Sequence, residues 1–243
     1  MIYFDIKGSY YGGKSGAGVY QKIINQIPPH HIFISGFLGY CGIMRHKRPA
    51  PVNLGFDLDA EVVQKWNGIQ HPPESRWRFQ EQDTLSMLES LYETDNPLKP
   101  YIKLLNDQVF IYLDPPYLLE TRSDPRTRYK HEFLPLDHQR LFSVVRTLTC
   151  PVAISHYPTP LYDRLLENGW RYIDFQATTR RGVATERLYM NYPEPTELHD
   201  YSYLGENYKD RERIKLKFDR WKKNLSQLPP LERAMRVEWM ENI

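Results

Sequence analysis

Two short runs in this 243-residue chain have residue types and spacing that chemistry can use. Asp114-Pro115-Pro116-Tyr117 directly follows the apolar run Val109-Phe110-Ile111-Tyr112-Leu113. Such a run reads as a strand buried on both faces, and the prolines end it. In an open α/β sheet, ligands gather outside the carboxyl ends of the strands. A carboxylate there, beside the Pro115 carbonyl held by two fixed prolines, can accept both protons of an aromatic amine. The nitrogen is then pushed toward tetrahedral geometry and its lone pair freed for attack. Tyr117 offers a flat face for stacking on a base. The same four residues also suit a plain strand-ending turn with a buried tyrosine.

The second run, Gly8-Ser9-Tyr10-Tyr11-Gly12-Gly13-Lys14-Ser15, matches the phosphate-loop pattern of nucleotide hydrolases. Two tyrosines stand where such a loop wraps phosphate closely, which argues against that role. A nucleotide hydrolase stays open as an alternative. A third feature is the glycine turn Gly36-Phe37-Leu38-Gly39-Tyr40-Cys41-Gly42, where backbone can approach a ligand closely. Asp57 ends the next apolar run and is placed either to bond ribose hydroxyls or to cap a helix.

Around these residues the pattern alternates between strand and helix, which predicts an α/β layered fold. Val19, Ile23, Ile24 and Ile27 share a helical face that Pro28-Pro29 ends. Ile32–Ile34, Val52–Phe56, Val109–Leu113 and Val152–Ser155 read as strands. Leu141, Val144, Val145 and Leu148 mark one helix, and Leu161, Leu165 and Leu166 another. Tyr172–Gln176 and Leu188–Asn191 read as closing strands. Residues 118–136 lack periodicity and carry Arg122, Arg126, Arg128 and Lys130, as a functional loop or small insertion would. Residues 201–243 form a basic tail, in which Ile214, Phe218, Trp221, Leu225 and Leu228 fall at helical spacing up to Pro229-Pro230.

Composition bounds the rest. Hydrophobic residues at 41% and charged residues at 26% are ordinary for a globular protein. A net charge of +2 means that any attraction for nucleic acid is local. Cys41 and Cys150 fit neither a disulfide framework nor a zinc site, so a reducing cytoplasm and no metal are expected. Met1–Lys7 has no secretion pattern, and no stretch approaches roughly eighteen apolar residues, so no membrane is expected.

Taken in order, the chain resembles the Dam-type DNA adenine methyltransferases, especially short phage and prophage forms, over about residues 8–192. The family's aromatic-x-Gly-Gly-Lys stands at Tyr10–Lys14, its glycine motif at Ser35–Cys41, its ribose-binding acid at Asp57 and a further acid at Asp83. Its catalytic tetrapeptide stands at Asp114–Tyr117. Asp137-His138, Ile154–Tyr157, Gly169-Trp170 and Thr185–Tyr192 are similar to later landmarks. The resemblance implies a Rossmann-like fold with a mostly parallel sheet, one antiparallel strand and helices on both faces. It implies a cofactor-binding catalytic domain at 1–117 and 137–200, with residues 118–136 as a target-recognition insertion. S-adenosylmethionine would lie near Tyr10, Gly13, Lys14, Phe37, Gly39, Asp57, Asp83 and Asp114. Double-stranded DNA would meet Arg122, Arg126, Arg128 and Lys130, and adenine would be methylated at N6, with a cognate restriction nuclease left open. Ser35 and Gly36 stand where the family has an acid and a proline, and Cys41 replaces its second glycine. A cofactor- or DNA-binding relative with weakened turnover is therefore the alternative, with Gly42 in a position to compensate.

Overall fold

The computed structural model describes residues 13–16, 18–91, 108–122, 129–179 and 182–241. The chain divides into two compact units, Met1–Asp200 and Tyr201–Ile243.

The first unit is built on a seven-stranded sheet. Its strands are β1 (Ile32–Gly36), β2 (Val52–Asp57), β3 (Arg76–Glu81), β4 (Val109–Leu113), β5 (Val152–His156), β6 (Arg171–Thr179) and β7 (Gly182–Met190). The order across the sheet is β3-β2-β1-β4-β5-β7-β6. β3, β2, β1, β4 and β5 run parallel, and β7 is antiparallel to both β5 and β6. The expected Rossmann-like sheet, mostly parallel with an antiparallel insertion, is present.

β1, β4 and β5 are buried along their whole length. That burial on both faces explains their unbroken apolar sequences. On one face Ile32, Ile34, Ile111 and Leu113 join a core with Leu85 and Leu88 of α4 (Thr84–Ser90) and Leu141 and Val145 of α5 (Pro135–Val145). On the other, Phe33 stacks on Phe110 at 6.1 Å, and Ile23 and Ile24 of α1 (Val19–Ile24) are fully buried. α2 (Gly42–His46) and α3 (Ala60–Asn67) follow β1 and β2.

Three elements differ from the sequence expectation. β3 gives no apolar run, because as an edge strand it buries only Phe79. The helix expected through Leu161, Leu165 and Leu166 is broken into α6 (Pro160–Asp163) and a 3-10 turn at Leu166–Asn168. β6 and β7 extend well beyond the apolar segments that announced them, as a long hairpin pairing Thr179 with Gly182. Among the described residues, no helix is long and apolar enough to cross a membrane, and no group of three His, Cys, Asp or Glu could hold a metal ion.

The second unit has two helices, α7 (Tyr208–Ser226) and α8 (Pro230–Glu241). Asn207 caps α7 through the Asp210 amide, and Phe218 and Trp221 are exposed with Lys222 and Lys217 over their rings. The proline pair that ends α7 also begins α8, since proline is favoured at the first helical position.

Candidate active site

Strand order reverses between β1 and β4, and at such a switch point two loops leave the sheet in opposite directions and open a crevice. Gly36 pairs with Leu113 across these strands, so Phe37 and Asp114 leave the sheet side by side. The crevice is an open cleft at the carboxyl ends of these strands. Gly13, Phe37, Gly39, Asp57, Asp83, Asp114 and Lys130, all expected near a ligand, line it. Tyr10, Arg126 and Arg128 lie outside the described residues.

One wall is the glycine turn. A Cβ on Gly36 would stand 2.5 Å from Thr84 Cγ2 and 2.8 Å from Leu113 Cδ2, so only glycine lets α4 close on the strand end. Thr84 Oγ1 then accepts the Phe37 amide at 3.1 Å. Phe37 itself has φ of 56°, a left-handed conformation costing about 1–3 kcal/mol for a non-glycine residue. Its ring meets Phe133 edge-on at 5.1 Å. Asp57 does not cap α3; Asp59 does, by accepting the Glu61 amide. Instead Asp57 ties the turn to β2, accepting the Gly39 amide at 2.7 Å and the Asp59 amide at 2.9 Å. Burial raises the Asp57 pKa, and these two amides oppose the rise. Asp83 caps α4 through the Ser86 amide and also accepts the Ser86 hydroxyl.

The Asp-Pro-Pro-Tyr turn borders the same cleft through Asp114 and Pro116. Lys14 donates to both Asp114 oxygens at 2.8 Å and stands 3.6 Å from Glu186. Its ammonium also lies 4.9 Å from the centre of the Tyr117 ring. Tyr117 is buried and donates its hydroxyl to Glu186 at 2.8 Å. Burial pushes the Asp114 carboxyl up to about 6, against the pull of Lys14. Burial also works against the Lys14 charge, but Asp114 and Glu186 outweigh it and leave the Lys14 pKa raised. Pro116 lines the cleft, and Pro115 stands between it and the carboxylate.

Neighbouring elements fasten this turn. His156 at the end of β5 accepts the Leu118 amide through Nε2 at 3.1 Å and lies 2.9 Å from the Tyr157 carbonyl through Nδ1. Those partners assign the proton to Nδ1 and keep the ring neutral. Burial, its largest cause, lowers its pKa to about 3. Arg122 does not face outward as a base reader would. It is buried, donating to the Tyr117 carbonyl at 2.7 Å and forming a bidentate pair with Glu132 at 3.0 and 2.7 Å. The guanidinium is engaged inside because the insertion returns past the turn it left. Lys130 is exposed and bonds Asp59 at 3.2 Å across the cleft mouth.

Lys14 also decides the phosphate-loop reading. Such a loop puts its lysine at the start of a helix, whereas α1 begins only at Val19 and the Lys14 ammonium is turned onto Asp114. A Cβ on Gly42 would stand 2.5 Å from the Lys14 carbonyl carbon and 2.8 Å from the Ser15 nitrogen. Gly42 therefore admits the strand of backbone that delivers Lys14. Cys41, in the place of the family's second glycine, is buried and caps α2 by accepting the Met44 amide. Glu186, on β7, lies within a segment that the resemblance marked only as a landmark. An acid on the inward-facing register of an antiparallel strand was the available signal.

No model of a known protein family matches the sequence, and no curated protein sequence does. Solved structures of similar shape include protein LPL1258 from Legionella pneumophila, at 10% identity and a TM-score of 0.45, covering 87% of this chain and 92% of that one. The 23S rRNA methyltransferase ErmE is 11% identical with a TM-score of 0.41, over 84% of this chain and 75% of that one. TrmK of M. capricolum, bound to S-adenosyl-homocysteine, is 8% identical with a TM-score of 0.40, over 92% and 95%.

Proposed function

We propose that this chain is a methyltransferase that uses S-adenosylmethionine to methylate the exocyclic amine of adenine in DNA. The observation that carries the reading is one cleft with a cofactor-like wall and an amine-accepting wall. Asp57, Gly39 and Phe37 line it together with Asp114 and Pro116.

The residues fit the cofactor. Asp57 is a carboxylate fixed by two amides, with lone pairs left for ribose hydroxyls, and Phe37 and Phe133 are aromatic rings suited to a nucleoside. When bound, S-adenosylmethionine would supply a methyl carbon made electrophilic by sulfonium and open to the amine lone pair, with the C–S bonding pair leaving on sulfur. Asp114 and the Pro115 carbonyl accept the two amine protons and orient the lone pair. The amine competes with Lys14 for the Asp114 oxygens, so Lys14 holds the carboxylate in place without sealing it. After transfer the amine must lose one proton, and a carboxyl with a pKa of about 6 can take it up and pass it to water. Tyr117 offers its ring to a base swung out of the duplex. The resemblance to Dam-type enzymes favours DNA and adenine over other planar amines.

The test is incubation with methyl-labelled S-adenosylmethionine and duplex DNA, RNA of the same sequence, or protein, followed by digestion to nucleosides. Label in N6-methyladenine from DNA is expected, and Asp114→Ala should abolish it while retaining cofactor binding. Label in RNA alone would overturn the DNA assignment. Cofactor binding without transfer to any substrate would leave a relative with weakened turnover.

A further inference from the structure

The Asp-Pro-Pro-Tyr turn has a second carboxylate beside it. Glu186 comes from β7, the antiparallel strand next to β5, where His156 pairs with Arg187. That pairing carries the residues of β7 before Arg187 past the end of β5 and sets Glu186 beside Tyr117. The Glu186 side chain is 9% exposed, and one oxygen, Oε2, both accepts the Tyr117 hydroxyl at 2.8 Å and stands 3.6 Å from the Lys14 ammonium. Lys14 thus lies between two carboxylates, Asp114 at 2.8 Å and Glu186 at 3.6 Å.

We propose that Glu186 is a positioning residue for this turn, holding the plane of the Tyr117 ring and dividing the charge of Lys14 between itself and Asp114. This rests on the methyltransferase reading for its purpose but not for its geometry. A tyrosine whose ring must meet a base has to be fixed at its far end, and Glu186 is the acceptor there. A carboxylate that must accept a proton cannot be wholly neutralised by its neighbouring lysine, and a second acid draws part of that charge away. The groups facing Asp114 are Lys14 from the segment before α1, Glu186 from β7, Tyr112 of β4, Tyr117 of the turn and Tyr162 of α6, with Cys41 at the start of α2. Of these, the Glu186 charge acts to raise the Asp114 pKa and the Lys14 charge to lower it.

Two variants separate the two roles. Glu186→Gln keeps an acceptor for the Tyr117 hydroxyl and removes the charge, whereas Glu186→Ala removes both. With carbon-13-labelled aspartate, the Asp114 carboxyl signal, assigned by its loss in Asp114→Asn, is titrated in the protein alone. In Glu186→Gln its midpoint should fall by about one unit, the scale of one neighbouring charge. The acid limb of kcat should move down with it. Glu186→Ala should raise KM for mixed-sequence DNA several-fold, Glu186→Gln should restore it, and Tyr117→Phe should erase the difference between them. An unmoved Asp114 titration in Glu186→Gln, or an unchanged KM in a folded Glu186→Ala, would overturn the proposal. The titration needs neither cofactor nor DNA, so a wild-type protein that transfers no methyl group counts against the enzymatic reading alone.

Discussion

Lys14 and Asp114 stand 100 positions apart in the chain, and the Lys14 ammonium donates to both oxygens of the Asp114 carboxylate at 2.8 Å. The lysine reaches this place because its backbone passes against Gly42, where no Cβ intervenes. The Asp-Pro-Pro-Tyr side of the cleft therefore depends on one partly buried charge pair.

Removing the cation exposes that dependence. Lys14→Met leaves the partly buried Asp114 beside Glu186 without a cation, a loss of about 1–3 kcal/mol. The Asp114 pKa should rise above about 6, since the Lys14 charge holds it down. Urea unfolding and a pH–rate profile check both parts, and an unmoved acid limb would contradict the coupling.

For the wild-type protein, Asp114 must be ionised to accept the amine protons. With its pKa pushed up to about 6 by burial, turnover should rise with pH through about 6 and level off above 7. Initial rates at saturating substrates between pH 5 and 8 measure this. A profile flat down to pH 5 would remove Asp114 from the rate-determining chemistry.

Stability should follow a different course with pH. Burial lowers His138 to about 4 and His156 and His199 to about 3, while the unfolded chain protonates near 6.5. Below 6.5 the unfolded state binds more protons, so stability is intact above that pH and is lost as pH falls toward 4. Each histidine contributes a slope of up to about 1.4 kcal/mol per pH unit. Asp114, whose pKa is raised, acts oppositely between about 4 and 6 and offsets part of the loss. Denaturation midpoints at pH 5 and 7 test the net sign, which should favour pH 7.

Gly42→Ala should act on chemistry through Lys14. The new Cβ would meet the Lys14 and Ser15 backbone at 2.5–2.8 Å, and that backbone must yield. Overpacking of this kind costs about 1–3 kcal/mol. Turnover should fall more than cofactor affinity, because the shift moves Lys14 off Asp114 and leaves Asp57 in place. Equal losses in calorimetric cofactor binding and in kcat would refute this.

Arg122→Ala should behave as a structural lesion. Its guanidinium joins the Tyr117 carbonyl to Glu132, so its loss removes the side-chain donor from that carbonyl and leaves the half-buried Glu132 carboxylate with the Tyr129 amide but without this cation. A cost of about 2–4 kcal/mol and a uniform fall in methylation over all sequences are expected. Relaxed preference at a single base position, seen by sequencing methylated sites, would restore Arg122 as a base reader. The exposed Lys130 is the contrasting case, and its replacement should leave the fold intact.

The central strands were legible because burial on both faces demands continuous apolar residues, which is how Val109–Leu113 announced itself. The edge strand Arg76–Glu81 was not, because one covered position, Phe79, leaves no pattern to read. Arg122 was misplaced for a related reason. A charged residue in an aperiodic segment looks exposed until the chain is seen to return past it with Glu132.

Residue type and order alone determined the α/β class, the Asp-Pro-Pro-Tyr turn at a strand end, and the glycine turn with Asp57 after it. These are local matters of dihedral restriction, apolar periodicity and turn chemistry, and they act over a few residues. Only the tertiary structure decided that Lys14, Asp114, Tyr117 and Glu186 meet, because their contacts depend on strand order, on the antiparallel insertion of β7 and on the space left at Gly42. The charge state of Asp114 follows from that meeting, since burial and neighbouring charges exist only once distant segments are packed together.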